Sequence, residues 1–338
     1  MRIAWYAVSL LLVLGWAGSA LAEEEKMEVK NRFSGTTQAW LSYQQGDSVS
    51  NTTFGLRRMR IRYYGSVGSK AKTFVQVDLT GNSLAGALLD ARIEYYFNDN
   101  LNVRMGRFIG AGVRGGGQTF HYDIDIVERP LVARQWGSGT VGADFRDYGF
   151  QAEVKNASGL TGRLFVHNGT GSINRTNKAG GTSTVEMTPK AVDGMVFFKP
   201  QSVKGLEVGA HGGIGNDDIK EWSTYSAYLY YEPGPYRFKA ELVSLTTSPN
   251  DVDATLLGYY VFGAYDLTPH VELLGRYEKV DPNTEVDDNA LDLITVGAAF
   301  REFPGKKNHK LTAALVFPLE ETVDVDNTTF QIMWQLLF

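Results

Sequence analysis

Along the last eleven residues of the chain, 328–338, every second residue from Phe330 onward is apolar. Side chains of an extended strand point alternately to its two faces, so this segment has one fully apolar face and one face that carries Gln331 and Gln335. A strand of this kind is unusual in a soluble protein and typical of a bacterial outer-membrane β-barrel. The apolar face consists of Phe330, Ile332, Trp334, Leu336 and Phe338.

The same alternation recurs through most of the chain in segments of about ten residues. In four segments the apolar positions clearly predict a lipid-facing side, and the polar positions predict a side that faces a water-filled lumen. The predicted strands twelve, fourteen and fifteen are ambiguous, because Gly, Ala and Tyr occupy both sets of positions. The inward sets of the four clear segments are Arg58, Arg60, Arg62 and Tyr64; Gln76 and Asp78; Asp90, Arg92 and Glu94; and Arg237, Lys239 and Glu241.

Turn signals between these segments predict an all-β fold, a transmembrane antiparallel β-barrel of about sixteen strands. Short connections, which predict periplasmic turns, alternate with longer ones, which predict extracellular loops. An even number of strands places both chain ends on the periplasmic side. The predicted strands are 33–45, 53–67, 71–81, 88–97, 101–109, 146–155, 160–168, 189–199, 205–213, 222–232, 235–246, 255–266, 269–280, 289–300, 308–319 and 326–338.

Two arginines, Arg57 and Arg107, fall on the lipid-facing parity of their strands. Both are near the predicted outer ends of those strands. There an arginine costs little and can reach lipid phosphates.

The N-terminal residues predict a cleaved secretory signal peptide. Arg2 precedes the apolar stretch 3–16, and an A-x-A cleavage pattern at 20–22 precedes an acidic run. The apolar stretch is shorter than the ~20 residues of a membrane-spanning helix. We therefore expect residues 1–22 to be removed and residues 23–338 to form one barrel domain in the outer membrane of a Gram-negative bacterium.

Composition limits the possible chemistry. The chain contains no cysteine, which excludes disulfides and thiolate metal sites, and its net charge of −5 argues against a nucleic-acid partner. The segment 121–125 carries metal-binding residue types, but its alternating spacing on a loop is a poor metal signature. The five histidines are scattered, and no catalytic triad or carboxylate pair can be assembled from spacing. We expect no metal, no cofactor and no enzymatic activity.

Several short sequences, in the same order along the chain, resemble the phosphate-selective porin O and P family of outer-membrane porins. The likeness covers most of the predicted barrel domain. It is carried by residues 54–61, 74–78, 90–95, 103–108, 127–132, 167–171 and 275–278.

The resemblance implies a trimeric, sixteen-stranded channel. It also implies that the third extracellular loop folds into the lumen and that arginine and lysine side chains carry anions. The chain departs from the family pattern at 109–117, where a glycine-rich sequence replaces the usual lysine and Pro-Phe-Gly turn. The solutes we expect are therefore small anions in general, such as phosphate or carboxylates.

The row Arg58, Arg60 and Arg62 places three guanidinium groups along one wall of the predicted lumen. Guanidinium stays ionised and offers forked donors to phosphate or carboxylate, and rows of such groups make anion-selective pores. The alternative is an arginine network neutralised by the acidic residues of the neighbouring strands, Asp78, Asp90 and Glu94. The predicted pore-lining residues are Arg58, Arg60, Arg62, Arg92 and Arg104.

Residues 110–146 form the longest loop, and a long loop in a compact fold is usually functional. We expect it to enter the barrel and to bring Arg114, Arg129 and Arg134 toward the arginine row as a constriction. The alternative is an exposed loop that contacts lipopolysaccharide or phage.

These predictions leave several functions open. The leading one is passive diffusion of small anions. The alternatives are a weakly selective diffusion porin, a non-conducting structural or receptor barrel, and an outer-membrane hydrolase. The expected partners are small anionic solutes, outer-membrane lipid and lipopolysaccharide, other copies of the chain in a homotrimer, and the barrel assembly machinery, which would bind the last strand ending in Phe338.

Overall fold

The computed structural model describes residues 27–46, 49–81, 87–169, 171, 191–216, 220–249, 252–320 and 327–338. The predicted signal peptide, residues 1–22, lies outside the described residues. No helix in the described ranges is long and apolar enough to cross a membrane.

The described residues form sixteen antiparallel strands that close into a barrel. Each strand pairs with its neighbours in chain order, and the last strand pairs with the first. All sixteen predicted strands are confirmed, with ends that differ by a few residues. The strands are β1 Val29–Gln44, β2 Asn51–Val67, β3 Ala71–Asp78, β4 Leu88–Asn98, β5 Leu101–Phe108, β6 Asp147–Lys155, β7 Leu160–His167, β8 Ala191–Phe198, β9 Leu206–Asn216, β10 Lys220–Tyr231, β11 Tyr236–Pro249, β12 Ala254–Asp266, β13 Val271–Asp281, β14 Leu291–Arg301, β15 His309–Glu320 and β16 Thr329–Leu337.

Alternation sorts the side chains onto two surfaces. Large apolar side chains such as Ile93, Met105 and Trp334 are exposed on the outside, whereas polar side chains such as Gln38 and Gln335 are buried inside. A closed barrel satisfies all strand backbone groups between neighbouring strands, and an apolar exterior suits lipid. The predicted transmembrane barrel is confirmed.

Strands β1 and β16 close the barrel at a seam that ends in Phe338. The backbones of Gly35 and Phe338 exchange two hydrogen bonds, with N···O distances of 2.6 and 3.1 Å. The Phe338 ring lies directly over Gly35, where a Cβ atom would stand 2.3 Å from the ring. Glycine at position 35 therefore makes room for the terminal aromatic ring.

The loop between β5 and β6, residues 109–146 and called loop 3 below, lies inside the barrel as predicted. It contains a 3-10 turn, His121–Asp123, and one helix, α1, Leu131–Gly139. The apolar side of α1 packs against inward side chains of the far wall. The indole Nε1 of Trp136 donates to Thr224 Oγ1 on β10 at 3.1 Å, and Val132 packs over Gly258 on β12. Loop 3 thus packs inside the lumen against the wall that contains β10 and β12.

Candidate functional site: a basic cavity beside loop 3

A cavity of about 790 Å³ remains between loop 3 and inward side chains of β2–β5 and β7–β11. It reaches the barrel end that carries the short turns, because Lys199, Glu232 and Lys307 line it. Among the described lining residues, thirteen are basic and seven acidic, so the wall carries an excess of positive charge. The basic residues are Arg57, Arg58, Arg60, Arg92, Arg104, Arg114, Arg129, Arg134, Arg146, Arg163, Lys199, Lys239 and Lys307, and the acidic ones are Asp78, Asp90, Asp123, Glu128, Asp144, Glu207 and Glu232.

Arg58 and Arg60 of the predicted row line this cavity. Arg58 donates to Gln38 Oε1 at 2.8 Å and stands 3.8 Å from a Glu128 carboxylate oxygen. Arg60 donates through Nε to Asp78 Oδ2 at 2.7 Å. Alternate residues of a strand lie about 7 Å apart, so the two guanidinium groups form successive steps on one wall.

Arg62 faces inward as predicted but is not among the residues that line the cavity. Its guanidinium is buried and donates to Gly35 O at 2.9 Å and to Thr36 Oγ1 at 2.8 Å. Its cationic carbon also stands 5.1 Å from the centre of the Tyr122 ring. The prediction that Arg62 lines the pore is therefore corrected: loop 3 covers it, and its contacts join β1 and β2 to the loop.

Arg92 and Arg104 line the cavity as predicted. Arg92 donates to Glu94 Oε1 at 2.5 Å and lies over the Phe74 ring. Arg104 stands 3.8 Å from Glu153, and its buried Nε has no hydrogen-bond partner among the described residues.

Arg57 does not face lipid, contrary to the prediction. The pairing of β1 with β2 shifts between Gln38 and Ala39, so Arg57 is the extra residue of a β-bulge and no longer follows the strand alternation. It lines the cavity and forms a two-pronged ion pair with Glu128 of loop 3. Arg107, the other outward arginine, donates to the backbone of Leu88 at 2.9 Å and to Asp144 at 2.6 Å.

The three arginines predicted on loop 3 all line the cavity, but they differ in their hydrogen-bond partners. Arg114 donates to Glu207 at 2.9 Å, and Arg129 donates to the backbone carbonyls of Gly116 and Thr119. Arg134 on α1 is exposed to the cavity. Its backbone N–H donates to the Pro130 carbonyl at 3.1 Å, and no hydrogen bond to its guanidinium group is found in the described part of the chain. Arg134 is thus the loop arginine best placed to meet a solute.

Burial and the charges of Arg58, Arg60 and Arg146 lower the pKa of Arg129 well below its ordinary value. Burial and the same row, led by Arg60, also lower the pKa of His121, so that side chain is neutral. Burial is the larger cause of both shifts, and the charges of the neighbouring arginines add to it in the same direction.

Inward polar side chains of the wall hold loop 3 in place. The Glu241 carboxylate on β11 accepts from the backbone N–H groups of Arg114 and Gly115 at 2.6 and 2.7 Å. Glu278 on β13 accepts from the N–H of Leu131 at the start of α1, and Lys310 on β15 donates to the Ile124 carbonyl at 3.0 Å. These bonds satisfy loop backbone groups that would otherwise be buried without partners.

A buried chain of acidic and histidine side chains connects β6 to β9 behind the cavity. His167 bonds Asp147 at 2.8 Å through Nδ1 and Asp193 at 2.7 Å through Nε2, and His211 bonds the other oxygen of Asp193 at 2.7 Å. The Trp136 ring of α1 packs edge-on against His211. The residues of this cluster lie far apart in the sequence, so their spacing did not predict it. The cluster joins four strands to the helix of loop 3.

The segment 121–125 does not bring metal ligands together. The Asp125 carboxylate pairs with Arg237 and with Lys239, the latter at 3.0 Å, whereas His121 contacts the Tyr122 ring. Within the described ranges, no group of three His, Asp or Glu side chains is arranged to hold a metal ion.

The predicted site omitted Arg57, Arg146, Arg163, Lys199, Lys239 and Lys307, which also line the cavity. Strand alternation placed Lys239 inward, and the same alternation in β7 could have identified Arg163. Arg146 ends loop 3, and Lys199 and Lys307 lie in turns, where alternation gives no direction.

No protein-family model matches the sequence, and no curated protein matches it either. Solved structures do match. OmpT, an outer membrane protein of Vibrio cholerae, is 12% identical, with 94% of this chain and 100% of that chain aligned and a TM-score of 0.68. OmpF of Salmonella typhi in complex with daunomycin is 12% identical over 91% and 98% of the two chains, with a TM-score of 0.66.

The outer membrane channel DcaP of Acinetobacter baumannii is 11% identical over 92% of this chain and 97% of that chain, with a TM-score of 0.63. The chain has the fold of outer-membrane barrels. The predicted location in the outer membrane of a Gram-negative bacterium is confirmed.

Proposed function

We propose that this barrel is a porin-like channel through which small anions, such as phosphate or carboxylates, diffuse passively across the outer membrane. The observation that carries the proposal is the excess of arginine and lysine over acidic side chains around the cavity beside loop 3. No catalytic step is assigned to the barrel.

Shared carboxylates explain why the positive charge is not cancelled. Most cations of the cavity have an acidic neighbour, but several of those neighbours serve two cations at once. One carboxylate cannot neutralise two cations, so net positive potential remains in the lumen. The shared pairs are Glu128 with Arg57 and Arg58, Glu153 with Arg104 and Arg163, and Glu207 with Arg114 and Lys199, whereas Arg92 has its own partner in Glu94 beside the Asp90 that it shares with Arg146.

In this mechanism an anion exchanges water for guanidinium donors and moves between successive arginines. Arg134, exposed on α1, meets the anion on the loop side. Arg58 and Arg60 form steps on β2, and Arg92 and Arg104 continue the basic wall toward the short-turn end. Partial neutralisation keeps each contact weak enough for release, which conduction requires.

Two of the similar structures support the proposal that the barrel is a channel. DcaP is described as an outer membrane channel, and one of the matching OmpT structures is described as a trimer form. We extend these properties to this chain as a channel and a homotrimer. Membership of the phosphate-selective porin O and P family, contact with lipopolysaccharide, and use of the barrel assembly machinery belong to the same proposal.

Reversal potentials test the function directly. Purified, refolded barrel in a planar lipid bilayer under a KCl gradient should conduct and show a potential of the sign set by chloride. A potential set by potassium would remove the anion assignment. Absence of any channel would favour the structural or receptor barrel.

The weakly selective diffusion porin is the second candidate, because seven acidic side chains line the same cavity. Its expected signature is a reversal potential close to zero under the same gradient.

A further inference from the structure

Phe120 is an exception among the aromatic rings of the cavity. Its side chain is 55% exposed, although it lies on loop 3 in a lumen lined mainly by charged groups. A large apolar ring exposed to water inside a polar site is an informative observation, since folding alone gives no reason to leave it there.

The other aromatic rings that line the cavity are already covered. Phe74, Phe145, Phe197 and Tyr230 are each at most 9% exposed. Each has an arginine over its face, at 4.4, 5.2, 5.0 and 4.9 Å from the ring centre respectively. Among the described residues, no cation lies over Phe120.

The Phe120 ring is also held in a defined orientation. It stacks parallel to Tyr122, with ring centres 5.4 Å apart and planes at 1°. The backbone on either side is fixed, because Arg129 donates to the Thr119 carbonyl at 2.7 Å and Gln38 donates to the His121 carbonyl at 3.2 Å. The ring is therefore a preformed stacking surface whose other face meets the cavity.

A planar apolar group on this surface would lie in the same cavity as the exposed Arg134 and the guanidinium groups of Arg60 and Arg92. Aromatic rings favour offset stacking, and guanidinium favours carboxylate. A solute that carries both groups would use both features at once, whereas phosphate or acetate would use only the cations.

We infer that Phe120 and the cavity arginines form a subsite for aromatic carboxylates. The inference deepens the proposed anion channel and rests on it. Benzoate is the simplest probe, acetate lacks its ring, and cyclohexanecarboxylate carries the same charge on an apolar ring that is not planar.

The test measures how strongly each probe reduces chloride current through single channels in a planar bilayer. Benzoate should block at lower concentration than acetate and cyclohexanecarboxylate. Phe120→Ala should weaken the benzoate block roughly two- to tenfold, the range expected for loss of one aromatic pair, and leave the acetate block unchanged. Phe120→Trp should retain it. Phe54→Ala, the same change on the outer surface, should match the parent.

Equal block by benzoate and cyclohexanecarboxylate would overturn the inference, as would a Phe120→Ala channel that binds benzoate like the parent. In either case a chloride-selective reversal potential would leave the anion channel intact. A cation-selective potential in the parent would remove the proposed function and this subsite with it.

Discussion

The two halves of the lumen differ in what their inward side chains touch. On β10–β14 the inward positions include apolar residues such as Val243, Leu245 and Phe262, which are buried against loop 3 or packed with it in one core. On β2–β5 the inward positions are mostly charged and border the cavity. The first wall therefore includes part of a protein core, and the second lines the cavity. Loop 3 produces this difference, because it packs its apolar side against the first wall and leaves the second open to the cavity.

The largest effect we expect is from Trp136→Ala, which removes the ring that fixes α1 to the apolar wall. Deleting a buried tryptophan typically costs about 3–5 kcal/mol, and here the Thr224 hydroxyl also loses its donor. The loop should become sensitive to protease, and conductance should rise and fluctuate. Trp334→Ala, on the outer surface, is the matched control. Parent-like protease resistance and conductance in Trp136→Ala would contradict the division of the lumen.

Arg60→Ala tests the basic wall. Loss of one charge at contact distance in a water-filled lumen is worth about 1 kcal/mol, or roughly a fivefold fall in chloride over potassium permeability. Arg62→Ala, two residues along the same strand but covered by loop 3, should change permeability far less. Reversal potentials of both variants give the comparison, and equal values for Arg60→Ala and the parent would exclude Arg60 from the pathway.

A smaller effect on the attachment of loop 3 is expected at low pH. It concerns the junction between loop 3 and β2, where Glu128 pairs with Arg57 and Arg58. Burial alone would raise the pKa of Glu128, but its hydrogen bond with Arg57 and the charges of Arg57 and Arg58 outweigh burial and lower the pKa below its ordinary 4.5. A carboxyl with a depressed folded-state pKa contributes stability above its unfolded pKa and loses it as pH falls through the folded value.

Below pH 4.5 the junction should therefore weaken progressively, by roughly 0.5–1 kcal/mol for a partly exposed pair. Protonation also frees Arg57 and Arg58, so anion preference should rise. Glu128→Gln should remove most of this pH dependence from both protease sensitivity of the loop and reversal potentials. An identical acid response in Glu128→Gln and the parent would show that Glu128 is not the group responsible.

Strand number, strand order and the inward direction of Arg58, Arg60, Arg92 and Arg104 could be predicted from the sequence, because period-two alternation depends only on local geometry. The alternation is weak in β12, β14 and β15, and the structure gives the reason for β12. Its inward residues Tyr260 and Phe262 pack against the loop-3 side of the lumen, so both of its faces are apolar.

The remaining differences depend on tertiary contacts. A single bulge turned Arg57 from the lipid side to the cavity, and no periodicity signals an extra residue in one strand. Burial of Arg62 beneath Tyr122 and capture of Arg129 by loop carbonyls depend on the path of loop 3. The contact between His167, Asp193 and His211 joins positions far apart in the chain.

The attachments of loop 3 also imply an order of assembly. Its Tyr122 carbonyl accepts from Gln335 on β16, and its neighbouring His121 carbonyl accepts from Gln38 on β1. The two glutamines bond each other across the seam at 2.5 Å. Loop 3 belongs to the first half of the chain, yet one of the side chains that hold it in place belongs to the final strand. The loop can make all of these attachments only after the barrel has closed, so an unclosed intermediate would lack the hydrogen bonds that join loop 3 to the seam.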